Sequence, residues 1–131
     1  MKEKLKFGLI GIGGRGYGYA EMLQERKDCE LVALCDHNQV RLTRLAEFFG
    51  VRNCYRELEE MLKKEQLDAL IISTPDCFHA DIATAALHAG VNVLADKPLA
   101  TTVKGCRQII TASDNGKTAM IGFTLRYHNV L

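Results

Sequence analysis

Leu5-Lys6-Phe7-Gly8-Leu9-Ile10-Gly11-Ile12-Gly13-Gly14-Arg15-Gly16 is a mostly apolar run that ends in a cluster of glycines. Leu5 to Ile10 reads as a short buried strand. A helix follows from near Arg15 and carries Ala20, Met22 and Leu23. A bare G-x-G-x-x-G pattern carries little weight, but one that closes a strand and opens a helix has the context its chemistry needs. Gly11 permits the tight turn. Gly13 lets a pyrophosphate approach the backbone, and Gly16 lets the helix pack close on the strand. Amide groups left free at the helix start then bind the anion. The stretch predicts a strand-to-helix turn built for a dinucleotide, with Gly11, Ile12, Gly13, Gly14, Arg15 and Gly16 as cofactor-binding positions.

The rest of the chain repeats the same alternation. Apolar runs at Glu30 to Cys35, Asn53 to Tyr55 (the weakest), Asp68 to Ser73, Val91 to Ala95 and Thr118 to Phe123 predict five more strands. Between them, apolar residues recur at helical spacing: Leu42, Leu45, Ala46 and Phe49; Leu58, Met61 and Leu62; Ile82, Ala83, Ala86 and Leu87; Val103, Cys106 and Ile110. Gly50, Gly90 and Asn115-Gly116 stand where helices end. Ala69-Leu70-Ile71-Ile72 is apolar throughout, as a strand covered by helices on both faces must be. Such alternation folds as a parallel sheet with right-handed crossovers. The expectation is an α/β, doubly wound Rossmann domain over 1–131, with strand order 3-2-1-4-5-6. The two prolines, Pro75 and Pro98, both follow strands, where a ligand crevice lies in this architecture.

Asp36 closes the second strand, twenty residues after Gly16. An acid there accepts from both hydroxyls of an adenosine ribose and repels a 2′-phosphate, so NAD is expected over NADP. Arg41 and Arg44 on the next helix are expected on its solvated face.

Composition excludes several other classes. A net charge of +1 gives no field for nucleic acid or an anionic membrane surface. No apolar run approaches the ~20 residues of a membrane span, and the charged start at Met1 to Lys6 does not resemble a signal peptide. The five cysteines, Cys29, Cys35, Cys54, Cys77 and Cys106, form no C-x-x-C pair. They read as buried reduced thiols, which fits the cytoplasm. The histidines have no metal-ligand spacing, so no metal is expected.

Four segments together resemble one family: Gly11 to Gly16; Ser73-Thr74-Pro75-Asp76-Cys77-Phe78-His79; Ala89-Gly90-Val91-Asn92-Val93-Leu94-Ala95-Asp96-Lys97-Pro98-Leu99-Ala100; and Gly122-Phe123-Thr124-Leu125-Arg126-Tyr127. In order and spacing they resemble the N-terminal domain of the glucose–fructose oxidoreductase/inositol dehydrogenase family, also called Gfo/Idh/MocA. The resemblance implies that Lys97 contacts the reacting hydroxyl and assists proton transfer. An ammonium there would stabilise a developing alkoxide as hydride leaves for the nicotinamide. Asp96 stands where the family commonly has Glu. The resemblance also implies that Thr74, Pro75 and His79 lie beside the cofactor, and that Arg126 and Tyr127 approach the crevice. His79 reads equally as a structural hydrogen-bond partner near a helix start.

Family members continue into a second α/β domain, built on an open sheet, that binds a sugar or cyclitol and supplies further catalytic groups. That domain has no counterpart in these 131 residues. The chain alone is therefore expected to bind cofactor but to turn over substrate poorly or not at all, and copies of the full protein to assemble as a homo-oligomer. The main reading is the cofactor domain of an NAD-dependent sugar or polyol oxidoreductase. A non-catalytic nucleotide sensor of the same family is one alternative. A methyltransferase domain that binds S-adenosylmethionine through its glycine loop is another.

Overall fold

The computed structural model describes residues 2–129; Met1, Val130 and Leu131 lie outside the described residues. Six strands form one sheet: β1 (Leu5–Ile10), β2 (Cys29–Cys35), β3 (Asn53–Tyr55), β4 (Ala69–Ile72), β5 (Asn92–Asp96) and β6 (Ala119–Gly122). Their order is β3-β2-β1-β4-β5-β6, and every neighbouring pair is parallel. Five α-helices connect them: α1 (Gly14–Glu25), α2 (Gln39–Phe49), α3 (Leu58–Lys64), α4 (His79–His88) and α5 (Val103–Ser113). The expected doubly wound order is thus the observed one. The order reverses between β1 and β4, and that is where a ligand crevice opens in such sheets.

Strand residues alternate between two cores. Leu9, Leu34 and Ile71 point to the face covered by α1 and α2, where they meet Ala20, Leu23, Leu42, Leu45 and Phe49. Ile10, Cys35, Leu70, Ile72, Val93 and Ala95 point to the other face, against Met61, Ala83, Ala86, Leu87, Ile109 and Ala112 of α3, α4 and α5. Leu70, Ile71 and Ile72 are fully buried in succession, because helices cover both sides of β4.

Helix ends follow local chemistry. Asn38 caps α2 by accepting from the Arg41 N–H, and Thr102 caps α5 by accepting from the Gly105 N–H. Gly50 closes α2 in the left-handed region, at φ 68°.

Three expectations need correction. In α1, Met22 is exposed while Gly16, Ala20 and Leu23 are buried. In α5, Val103 and Ile110 face solvent and Cys106 is half-buried; the inward face is Gly105, Ile109 and Ala112. The cause is close approach. A Cβ on Gly105 would stand 3.0 Å from the Ala100 methyl and 3.1 Å from the Ala80 methyl, so the packing face is the one that carries a glycine at the point of closest approach. Among the cysteines, Cys29 and Cys35 are buried, Cys54 and Cys106 are half-buried, and Cys77 is exposed on the turn before α4. All five are unpaired thiols. Among the described residues no helix is long and apolar enough to cross a membrane, and no three His, Cys, Asp or Glu side chains converge as metal ligands.

Candidate functional site: a dinucleotide cleft at the strand ends

A cleft of about 1090 Å³ runs across the carboxyl ends of the central strands. That is the size class of a cofactor site. Its floor is the glycine turn. Gly11 adopts φ +81°, and a Cβ there would come within 2.6 Å of the Ser73 and Thr74 backbone at the end of β4. Gly16 lies under the turn, where a Cβ would stand 2.1 Å from the Gly11 carbonyl oxygen. Both positions exclude side chains because two backbones touch. Gly13 and Gly14 differ: a Cβ on Gly14 would meet nothing within 4 Å, and on Gly13 only the Arg41 guanidinium at 3.9 Å. Their smallness leaves open space in front of the α1 N-terminus rather than relieving contact within the protein.

That N-terminus is uncapped. Gly13 offers no side-chain acceptor, unlike Asn38 and Thr102 at the starts of α2 and α5, and the first turn of α1 carries no acid. Free N–H groups and the helix dipole therefore point into the cleft, where an anion would be bound. The donor set and the open space fit a dinucleotide pyrophosphate.

Asp36 sits at one end of the cleft with its carboxylate almost wholly buried. Its Oδ2 accepts from the Ile12 N–H at 3.0 Å, and its Oδ1 from the Asn38 N–H at 2.8 Å. Arg41 Nη1 donates to Oδ2 at 3.3 Å. Bonds of this kind to a charged acceptor are worth about 1.5–3 kcal/mol each and fix the carboxylate at the end of β2. Arg41 is exposed, as expected of a solvated face, and it also lines the cleft beside Gly13 and Asp36. The signal for it was Asn38, whose capping role sets Arg41 on the first turn of α2, turned toward the glycine loop.

The opposite end gathers residues from β4 and β5. Ser73, Thr74, Pro75, Asp96 and Lys97 all line the cleft. Asp96 is buried; its Oδ1 accepts from the Lys97 N–H at 3.0 Å and from Arg15 Nη1 at 3.4 Å. The shorter acid thus has identifiable partners, and it ties the glycine loop to the Asp96-Lys97-Pro98 turn. Tyr19 lies close by; burial, and then the Asp96 carboxylate, push its hydroxyl pKa up.

Four residues expected at the cofactor do not line the cleft. Ile12 is buried and contributes its N–H to Asp36. Gly16 supports the turn from below. His79 is fully buried at the start of α4, with Nδ1 2.7 Å from the Pro98 carbonyl and Nε2 3.0 Å from the Thr74 carbonyl. Arg126 is exposed on the turn after β6, its guanidinium 5.3 Å from the Phe123 ring centroid. Sequence reasoning missed Arg56, Phe78, Asp81, Ile82 and Ala85, which do line the cleft. Arg56 reaches it by donating to the His37 carbonyl at 3.0 Å, and nothing in the local sequence marked that contact.

Comparison with known proteins agrees with this geometry. Residues 5–123 match the model of the Gfo/Idh/MocA oxidoreductase family, NAD-binding Rossmann fold. The chain is 33% identical to a Shewanella oneidensis protein named alpha-N-acetylgalactosaminidase, over 95% of this chain and 29% of that protein. It is 32% identical to the D-apiose dehydrogenase of Paraburkholderia graminis, over 86% of this chain and 30% of that one. The crystal structure of GenD2 from gentamicin A biosynthesis, in complex with NAD, superposes with a TM-score of 0.91 at 30% identity, covering 97% of this chain and 36% of that chain. This chain thus spans about a third of the length of these relatives. Its uncapped glycine turn, its acid at the end of β2 and its match from the first strand to the last have one explanation: the chain belongs to the Gfo/Idh/MocA oxidoreductase family, as an NAD-binding Rossmann domain.

Proposed function

We infer that the chain holds NAD(H) across this cleft, adenosine at Asp36 and nicotinamide at Lys97, for an enzyme that oxidises or reduces a sugar, cyclitol or similar polyol. The observation that carries the reading is the uncapped α1 N-terminus facing open space, with a fixed carboxylate at one end and a lysine at the other. When bound, the nicotinamide supplies the hydride acceptor or donor. The chain's own residues do the rest. The Gly13 and Gly14 backbone receives the pyrophosphate. Asp36 accepts from the ribose hydroxyls. Lys97 stabilises charge on the substrate oxygen and moves its proton. Arg15 is held toward the loop by Asp96. The unpaired thiols fit a reducing, cytoplasmic setting. By itself the chain binds cofactor and does not turn over.

Calorimetric titration with NADH, NADPH and S-adenosylmethionine tests the reading. NADH should bind tightest and S-adenosylmethionine not at all. A chain that prefers S-adenosylmethionine, or ignores all three, overturns it.

A second reading is favoured by the 33% identity to a protein named as a glycosidase. Hydrolysis of a glycosidic bond would then be the net reaction of the longer protein. Net formation of NADH with substrate indicates the dehydrogenase; sugar release without net NADH indicates the hydrolase.

A further inference from the structure

His79 is the one histidine with no exposure at all, and the cleft reading leaves it without a task. It opens α4, preceded by the short turn Asp76–Phe78. Its two ring nitrogens face two backbone carbonyls: Thr74, just past the end of β4, and Pro98, just past Lys97. Both carbonyls have left the sheet ladder, in segments where Pro75 and Pro98 themselves bring no N–H. Carbonyls that have left the ladder still need donors, so the imidazole meets a requirement of both strand ends at once.

We propose that His79 is a positioning residue for Lys97: its imidazole bridges the Thr74 and Pro98 carbonyls and so fastens the Lys97–Pro98 turn to the end of β4. The bridge joins the two strand ends that form the reaction end of the cleft. β4 and β5 pair directly, Ile72 opposite Ala95, so the tie lies just past their last register pair and stops the two exits from spreading. Lys97 also has its own N–H held by Asp96. With its own N–H held and the next residue's carbonyl tied, the lysine side chain leaves the backbone from a fixed origin.

Carbonyl oxygens only accept, so each contact is a hydrogen bond only where the ring nitrogen carries a proton. Both are made together by a ring that donates from Nδ1 and from Nε2. The charged side chains on the elements around it are Asp76 on the preceding turn, Asp81 on α4, Asp96 at the end of β5 and Lys97 just past it, Glu59, Glu60, Lys63 and Lys64 on α3, and Lys104 and Arg107 on α5.

The catalytic consequence rests on the reading of Lys97 above; the bridge itself does not. The test uses the 131-residue chain. Long-range proton–nitrogen NMR reads which His79 ring nitrogens carry protons. Amide hydrogen exchange is followed at Lys97 and, as a control, at the core residues Leu34 and Ile71. The bridge predicts protons on both ring nitrogens. In His79→Phe, which keeps the ring volume but has no donor, Lys97 exchange should rise roughly ten-fold or more, with Leu34 and Ile71 changing much less. His79→Gln keeps a two-proton donor nitrogen and should recover part of the protection. NADH affinity should change less than about three-fold, since the pyrophosphate and ribose contacts lie elsewhere. A ring with an unprotonated nitrogen facing either carbonyl overturns the bridge. So does equal loosening of Lys97 and the core, which marks a merely structural histidine. If neither variant folds, the ring protons of the unmutated chain decide alone. Failure of the unmutated chain to bind NADH would overturn the cofactor reading and leave the bridge standing.

Discussion

The two ends of the cleft are built in opposite ways. The adenosine end comes from one short stretch. Ile12, Asp36, Asn38 and Arg41 hold one another through contacts within thirty positions of the chain, and the carboxylate at their centre is buried. The reaction end is assembled from afar. Arg15 meets Asp96 across 81 positions. Its flank is open: Met120, Phe123, Leu125 and Tyr127 on β6 and the turn beyond it are exposed. The difference teaches that one end of the cleft is closed by neighbouring residues while the other leaves an exposed apolar flank, in a chain that spans about a third of its relatives' length.

The largest expected effect separates the two kinds of glycine in the shared turn. Gly16→Val places a side chain where even a Cβ would lie 2.1 Å from a backbone oxygen. It should cost about 3 kcal/mol or more and leave little folded protein by circular dichroism. Gly14→Ala, with open space around it, should keep or slightly raise the melting temperature, because alanine favours the helix by up to ~1 kcal/mol. Equal damage from both would show that the turn is not limited by backbone contact.

Next in size is Lys97→Met, made in a longer version that carries the substrate domain. The rate of hydride transfer should drop roughly 100-fold, with kcat and kcat/KM falling together. NADH affinity should hold, because the adenosine end is untouched. Unchanged kcat would make Lys97 structural and remove chemistry from this end of the cleft.

Asp36→Ser strikes the opposite end and should act on two readouts. Ribose recognition is lost, which weakens NADH by about 1.5–3 kcal/mol in calorimetry and narrows the gap to NADPH. The Ile12 and Asn38 N–H groups also lose their acceptor, so the melting temperature should fall as well. A variant that melts lower yet binds NADH as before would show that Asp36 serves the fold alone.

The smallest effect concerns Cys35, which lies under the adenosine end just before Asp36. Burial, and then the Asp36 carboxylate, push its thiol pKa up to about 12. Folding therefore favours the protonated thiol. Its contribution is intact below pH ~9 and is lost as pH rises toward ~12. Comparing melting temperatures of the chain and of Cys35→Ala between neutral and alkaline pH should show the steeper alkaline loss in the unmutated chain. Alkylation at neutral pH should reach exposed Cys77 first and Cys35 last. Early labelling of Cys35 would mean that the adenosine end opens readily.

Strand order, the glycine turn and Asp36 were legible from residues alone because each rests on local rules. Unbroken apolar runs such as Leu70 to Ile72 require cover on both faces, alternation with helices requires parallel crossovers, and Gly11 and Gly16 stand at fixed offsets within one turn. What only the tertiary structure decided is whatever depends on two distant backbones coming together. The inward face of α5 is Gly105, Ile109 and Ala112 rather than the more conspicuous Val103 and Ile110, because Ala80 and Ala100 leave no room for a side chain at position 105. Arg15 finds Asp96, and His79 lies beneath the site between two strand ends instead of on its surface. No local pattern encodes these pairings, since a side chain's partner is set by which strand ends the parallel sheet places side by side, and that is a property of the whole sheet.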